Sequence, residues 1–376
     1  MSGGDMLVIE GLNKQFQRPR KPPVQAVKDF AIAIGKGEIV ALLGSSGCGK
    51  TSTLRMIAGL ESVTSGAITL NGRRIEQLAP SQRNVAMAFE GYSLYPPLTV
   101  RDNIAFALKG RKLDGAEARK RVAAMAKLIE IEPILDRYPS SISGGQQQRA
   151  SLARALVRQA DLYLLDEPMG QLEPQLRAVL RGRIKSLLND SMMTAIFVTH
   201  DQTEANALAD RIAVMEGGVL LQFATPKDLK DKPANLFVAT FVGEPPMNVF
   251  NAGLTQEGET LRFGLDNGPA LDLPASDVSP AVRAAIGDRR RVTLGIRPHR
   301  LLIGDGPLKA RVASNQWLGD QSHVAAEIAG KLAVGVTHMR VPARPGEEIS
   351  LGLAARDLHL FDIDTGTAIS HGPEAA

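Results

Sequence analysis

The segment GSSGCGKT, Gly44 to Thr51, fits the pattern Gly-x-x-x-x-Gly-Lys-Ser/Thr and lies between the apolar run IVALLG and the helical TSTLRMIAGL. Residues of these types at this spacing do phosphate chemistry. Backbone N–H groups along Gly44, Ser45, Ser46, Gly47, Cys48 and Gly49 can wrap an anion at a helix N-terminus. The Lys50 ammonium reaches the β- and γ-phosphates, and the Thr51 hydroxyl is placed to ligate Mg²⁺. Cys48 serves here as a small filler rather than a redox group.

A second element, LYLLDEP (Leu162 to Pro168), is an apolar strand ending in two carboxylates. Side chains alternate along a strand, so Asp166 and Glu167 can divide the work. Asp166 would hold Mg²⁺, and Glu167 would orient and deprotonate the attacking water. The third element is SISGGQQQR, Ser141 to Arg149. Ser143, Gly144, Gly145 and Gln146 open a helix and form a second anion cradle suited to a γ-phosphate.

One chain with two cradles, the second about 100 residues after the first and about 20 before the Asp-Glu strand, resembles the ATP-binding-cassette (ABC) ATPases. In that family the Ser143–Gln146 segment completes the ATP site of the opposite subunit. The resemblance also implies roles for His200, as a switch residue contacting the γ-phosphate and the catalytic carboxylate, and for Phe16, as the aromatic that stacks on adenine. Two positions depart from the family pattern. Glu90 stands where a glutamine normally links the γ-phosphate and Mg²⁺ to the helical subdomain. It exchanges an amide donor for an anionic acceptor, which can ligate Mg²⁺ but repels phosphate. After the Asp-Glu strand, Gly170-Gln171-Leu172-Glu173 replaces the usual Ser-x-Leu-Asp. Both changes fall at the γ-phosphate or the dimer seam and raise the expectation of a heterodimer with two unequal sites.

The elements that must position these residues read as an α/β domain over 1–235, a P-loop NTPase of the ABC type with an inserted helical subdomain at about 92–155. Ile39–Leu43, Leu162–Asp166 and Ile196–Thr199 have the continuous apolar character of strands buried on both faces. Gly115 to Ile131 is the long amphipathic stretch of the inserted block. The basic segment Arg18 to Pro23 reads as a solvated hairpin loop. Residues 236–376 change to short β-runs punctuated by Gly and Pro, the texture of an all-β, OB-like barrel or sandwich, with a frayed tail SHGPEAA. Stretches such as LGIRPHRLLI and ARDLHLFDIDTG resemble the C-terminal regulatory domain of maltose-type and other carbohydrate-uptake ATPases. Trp317 is expected in a core or an interface, since aromatics make up only 4% of the chain and a base-stacking platform is not indicated.

Composition narrows the setting. At 376 residues the chain accommodates two or three domains, and a net charge of +4 is too mild for a dedicated nucleic-acid binder. The single cysteine and the absence of a signal-like apolar segment suit a reducing cytoplasm, and no run approaches a membrane span. The resemblance implies an ATP-hydrolysing importer subunit, peripheral on the cytoplasmic face of the inner membrane. Its expected partners are a second ABC ATPase, identical or homologous, two transmembrane permeases and, indirectly, an extracytoplasmic solute-binding protein, with no nucleic acid. Segment EGYSLYPP, Glu90 to Pro97, would carry closure to the permeases, whose coupling helices would dock near Tyr92 and Tyr95. A catalytically weakened regulatory subunit, or a soluble ABC ATPase of nucleic-acid metabolism, are the alternatives.

Overall fold

A computed structural model of the chain describes residues 5–91, 93–109, 113–278, 280–287 and 289–371. Tyr92 and the last five residues of the tail lie outside this set. The chain forms two compact units, Met1–Pro226 and Lys227–Ala376.

The first unit begins with an antiparallel hairpin, β1 (Asp5–Arg18) and β2 (Lys21–Gly35); the loop expected over Arg18–Pro23 shrinks to a tight turn at Pro19–Arg20, because Arg18 pairs with Lys21 and the strands run on to the turn. Next come β3 (Ile39–Gly44), α1 (Lys50–Ala58), β4 (Ser65–Leu70) and β5 (Arg73–Arg74). β6 (Val85–Ala88) precedes a helical block of α2 (Val100–Phe106), α3 (Gly115–Leu128) and α4 (Gly144–Leu156). The chain then returns as β7 (Leu162–Asp166), α5 (Pro174–Asp190), β8 (Ala195–Thr199), α6 (Gln202–Leu208), β9 (Arg211–Glu216) and β10 (Val219–Ala224). The amphipathic stretch expected to reach Ile131 stops as a helix at Leu128, because Glu130 turns to a left-handed φ of 56°.

A six-stranded sheet in the order β10-β9-β3-β8-β7-β6 carries the chemistry. Strands β9, β3, β8, β7 and β6 pair in parallel, and β10 closes one edge antiparallel. Every residue of β3, β7 and β8 is buried, which accounts for their unbroken apolar runs, because helices and the second sheet cover both faces. The second sheet, β2-β1-β4-β5, is antiparallel and contributes Leu7, Ile9, Phe30 and Ile68 to the same core as Leu42, Leu54, Leu164 and Val198. Register aligns Leu43 with Thr199 and Asp166 with Val198, so the C-terminal ends of β3, β8 and β7 finish side by side. In open parallel sheets that edge is where ligands bind.

A buried arginine braces the helix that follows the phosphate loop. Arg83 is 4% exposed and donates to the carbonyls of Met56 and Ile57, at the end of α1, and to those of Glu76 and Leu78.

The second unit contains two antiparallel sheets, one of six strands and one of four, with strands of both contributing to one core that includes Phe263, Leu294, Ala310 and Ala326. It is not purely β, since helices Leu236–Phe241 and Pro280–Ile286 accompany the sheets. Arg297, 4% exposed, follows strand Arg291–Ile296 and donates to the carbonyls of Lys230, Ala239 and Val242, tying the first of these helices to the sheet. Trp317 is 40% exposed with the Arg340 guanidinium 5.8 Å from its ring, so it is not a core residue. No helix among the described residues is long and apolar enough to cross a membrane.

Replacing Arg83 with Ala strands four carbonyls that share one buried guanidinium. A loss of about 3 kcal/mol is expected, because unsatisfied buried acceptors cost more than a hydrogen bond gains. Urea unfolding followed by circular dichroism should show the first transition moving to lower denaturant.

Candidate nucleotide site

The phosphate loop spans β3 and α1 and is held by lack of space. A Cβ on Gly44 would lie 2.1 Å from the Met215 carbonyl oxygen, and one on Gly49, at φ +105°, would lie 2.4 Å from the Ala26 carbonyl oxygen. Only glycine permits both approaches. The turn after β9 supports the loop from below: the Gly218 N–H donates to the Cys48 carbonyl at 3.1 Å, and the Ser45 hydroxyl bonds to the Glu216 carboxylate. Lys50 is 8% exposed, and its ammonium donates to the Gly44 and Ser45 carbonyls at 2.8 and 2.9 Å. Cys48 is buried, and that burial pushes its thiol up from the ordinary value. Its sulfur helps fill the space under Gly44, in keeping with a filler role.

At the end of β7 the Thr51 hydroxyl donates to Asp166 Oδ1 at 3.3 Å. Burial pushes the Asp166 carboxyl up to about 6, against the Thr51 hydrogen bond, and the Glu90 and Glu167 carboxylates push in the same direction as burial. Glu90 is exposed, just beyond β6, so the structure brings it within electrostatic reach of Asp166. Glu167 has a left-handed φ of 48°, rare for a residue with a side chain and a mark of a site held under strain. Its Oε1 lies 2.9 Å from His200 Nδ1. An ionised carboxylate only accepts, so Nδ1 carries the proton and Nε2 is left as the ring atom that can meet a substrate. The imidazole is 71% exposed, whereas the Glu167 side chain is 16% exposed.

Ser143 is the N-cap of α4. Its hydroxyl accepts from the Gln146 N–H at 3.3 Å while Gln146 Oε1 accepts from the Ser143 N–H at 3.0 Å, a reciprocal capping box that shapes the second cradle. Phe16, half-buried near the end of β1, has the Lys14 ammonium 4.7 Å from its ring centroid. Lys14 is itself buried and paired with Glu61 at 2.7 Å. In the loop after β7, Glu173 stands at the N-cap of α5 without making a side-chain cap bond, a consequence of its longer arm. A Cβ on Gly170 would meet only ordinary contacts, 3.7 to 3.9 Å from Glu167, so packing does not exclude the serine found there in the family.

Four further residues bear on the site and were not singled out in the sequence. Gln148, on α4 and 4% exposed, donates to the Glu167 carbonyl at 2.7 Å and accepts from the Gln171 N–H at 2.9 Å. Arg177 pairs with Asp201 at 3.1 Å. Glu204, 1% exposed, accepts from the Thr199 hydroxyl at 2.9 Å, and its other oxygen has no partner among the described residues. Burial pushes the Glu204 carboxyl up to about 7. The only sequence cue was proximity to the motifs: Gln148 lies within QQQR and Glu204 one helical turn past His200.

Residues 27–170 match the family model described as ABC transporter, and residues 294–361 match a TOBE domain model. The sn-glycerol-3-phosphate import ATP-binding protein UgpC of Chromobacterium violaceum is 40% identical over 92% of this chain and 92% of its own. The trehalose import ATP-binding protein SugC of Mycobacterium tuberculosis is 37% identical over 97% of this chain and 98% of its own. The lactose transport ATP-binding protein LacK of Rhizobium radiobacter is 40% identical over 90% of this chain and 94% of its own. Among solved structures, a dimeric ATP-binding cassette in a post-hydrolysis state bound to ADP and Pi superposes with a TM-score of 0.55 at 27% identity, covering 58% of this chain and 98% of that one.

An acid whose folded value is raised favours folding below its unfolded value and loses that contribution as pH climbs through the folded value. For Glu204 the window runs from its ordinary value of 4.5 to about 7. Wild type should therefore lose stability between pH 5 and pH 8, and in Glu204→Gln that loss should shrink by up to about 3 kcal/mol. Denaturation midpoints of the two proteins at both pH values provide the check.

Proposed function

The chain belongs to the ATP-binding subunits of ABC transporters, and on that premise we propose that it powers uptake of a sugar, a polyol or a glycerol phosphate at the cytoplasmic face of the inner membrane. The observation that carries the reading is the convergence of Lys50, Asp166, Glu167 and His200 at the neighbouring C-terminal ends of β3, β7 and β8. The relatives' names span a glycerol phosphate and two disaccharides at 37 to 40% identity, so the solute class, not a single solute, follows from the likeness.

In this reading the N–H groups of Gly44–Thr51 and the Lys50 ammonium hold the β- and γ-phosphates, and Phe16 offers the ring face not covered by Lys14 to adenine. Thr51 and Asp166 present hard oxygens that fit Mg²⁺, and Glu90, within electrostatic reach of Asp166, is the further carboxylate proposed for the cation. When bound, Mg²⁺ neutralises charge on the transferring phosphoryl group. Glu167 orients a water in line with the γ-phosphorus and accepts its proton. The Glu167–His200 bond holds that carboxylate in place, and His200 meets the γ-phosphate as an imidazolium, with Nδ1–H donating to Glu167 and Nε2–H donating to a phosphate oxygen.

Ser143–Gln146 of one subunit closes over the ATP of the other, so ATP bound between two chains joins them and hydrolysis lets them part. A groove of about 490 Å³ lined by Ala86, Met87, Phe106, Lys109 and Arg154 receives the permeases' coupling helices, beside the Tyr95–Phe106 ring pair with centroids 4.8 Å apart. Tyr92, the other residue expected at this groove, lies outside the described set. A solute-binding protein outside the membrane delivers the solute to those permeases. Glu90 and the uncapped Glu173 favour a second reading, in which the partner ATPase is a different chain with a stronger site.

Glu167→Gln should lower ATP turnover roughly 10²- to 10⁴-fold while leaving ATP affinity in place. Turnover of the purified chain alone separates the two dimer readings. Full activity as a self-dimer removes the need for a second ATPase, whereas weak activity that rises in Glu90→Gln supports unequal sites.

A further inference from the structure

The loop Gly170–Glu173 and the loop holding His200 are separate in sequence, yet one side chain spans them. Arg177, on the first turn of α5, uses Nη2 to donate to the carbonyls of Leu172 and Gly170 at 3.1 and 3.4 Å, and Nη1 to donate to Asp201 Oδ2 at 3.1 Å. Asp201 directly follows His200, and its other oxygen accepts the Glu204 N–H at 3.0 Å as the N-cap of α6. Burial acts to raise its carboxyl, but the Glu204 and Thr203 N–H groups and Arg177 outweigh that effect and hold it below the ordinary value. Asp201 N–H also donates to the Thr199 hydroxyl at 3.0 Å, leaving the backbone on both sides of His200 anchored.

We infer that Arg177 is a positioning residue: its fork ties the loop that faces the partner subunit to the loop that presents His200, so that the Glu167–His200 pair is set by where the partner-facing loop lies. The inference rests on the ATP-hydrolysing reading above. Two local facts and one property of the guanidinium group support it. The loop has lost the serine and the capping aspartate usual in the family, and Glu173 does not cap α5, so Arg177 and Gln148 supply the side-chain bonds to its backbone. A planar guanidinium can hold carbonyls and a carboxylate at once, which a lysine cannot reproduce. The far end of the chain of contacts is the catalytic pair itself, with His200 Nδ1 2.9 Å from Glu167.

The test uses the full chain and three variants: Arg177→Ala, Arg177→Lys and Asp201→Asn. Asparagine keeps the N-cap of α6 while removing the charge, so it remains informative should Arg177→Ala not fold. Each single variant should lower kcat roughly 10- to 100-fold, since small misplacements of a catalytic group cost that much, with ATP affinity unchanged within about twofold. The double variant Arg177→Ala/Asp201→Asn should be no slower than the slower single one. Amide hydrogen exchange gives a readout independent of turnover: Arg177→Ala should quicken exchange at both 170–173 and 200–203 and leave 44–51 unchanged. Quickening at 170–173 alone, or effects on kcat that multiply in the double variant, would overturn the inference. A wild type without turnover defeats the ATPase reading instead, and the exchange data still decide whether Arg177 couples the two loops.

Discussion

A side chain at Gly44 or Gly49 would collide with the carbonyl of Met215 or Ala26, and this lack of room is the constraint on which the site depends. It forces the loop between β3 and α1 to present backbone rather than side chains, and backbone N–H groups at a helix N-terminus are what a phosphate chain needs. The same close approach seats the loop against the turn after β9, through Gly218 N–H and the Ser45–Glu216 bond. Arg83 then holds the far end of α1 by its last carbonyls, so the helix that delivers Lys50 and Thr51 is secured at both ends.

Around that loop the protein collects acids. Burial raises the cost of ionising Asp166 and Glu204, and neighbouring carboxylates add to it: Glu90 and Glu167 at Asp166, Asp201 and Glu167 at Glu204. Cations oppose them only partly: Arg55 acts on Asp166 and Arg177 on Glu204, while Lys50 is committed to loop carbonyls. A site of this sign is poorly disposed to a bare polyphosphate and well disposed to one accompanied by a divalent cation. Glutamate at position 90 intensifies the imbalance, which is the physical content of the departure from the family pattern.

The second unit follows a different logic. Its two antiparallel sheets share one apolar core, and the buried Arg297 satisfies the carbonyls at the end of helix Leu236–Phe241. Match to a TOBE domain model fits the short, Gly- and Pro-punctuated strands.

By itself the sequence determined the glycine loop between β3 and α1, the strand end at Asp166–Glu167, the helix start at Ser143, three strands buried on both faces and the change to β-structure in the second half. Each is a local signal: a glycine that only one geometry explains, an apolar run whose length and bounds fit a strand, or a capping serine followed three residues later by glutamine. The tertiary structure alone decided which distant groups meet. That Gln148 would clamp the Glu167 carbonyl, that Arg177 would join two loops, and that Glu204 would be buried against the Thr199 hydroxyl depended on how α4, α5 and α6 pack over the sheet. Contacts between residues 19 to 24 positions apart carry no periodicity or spacing rule, so they become visible only once the strands are in register.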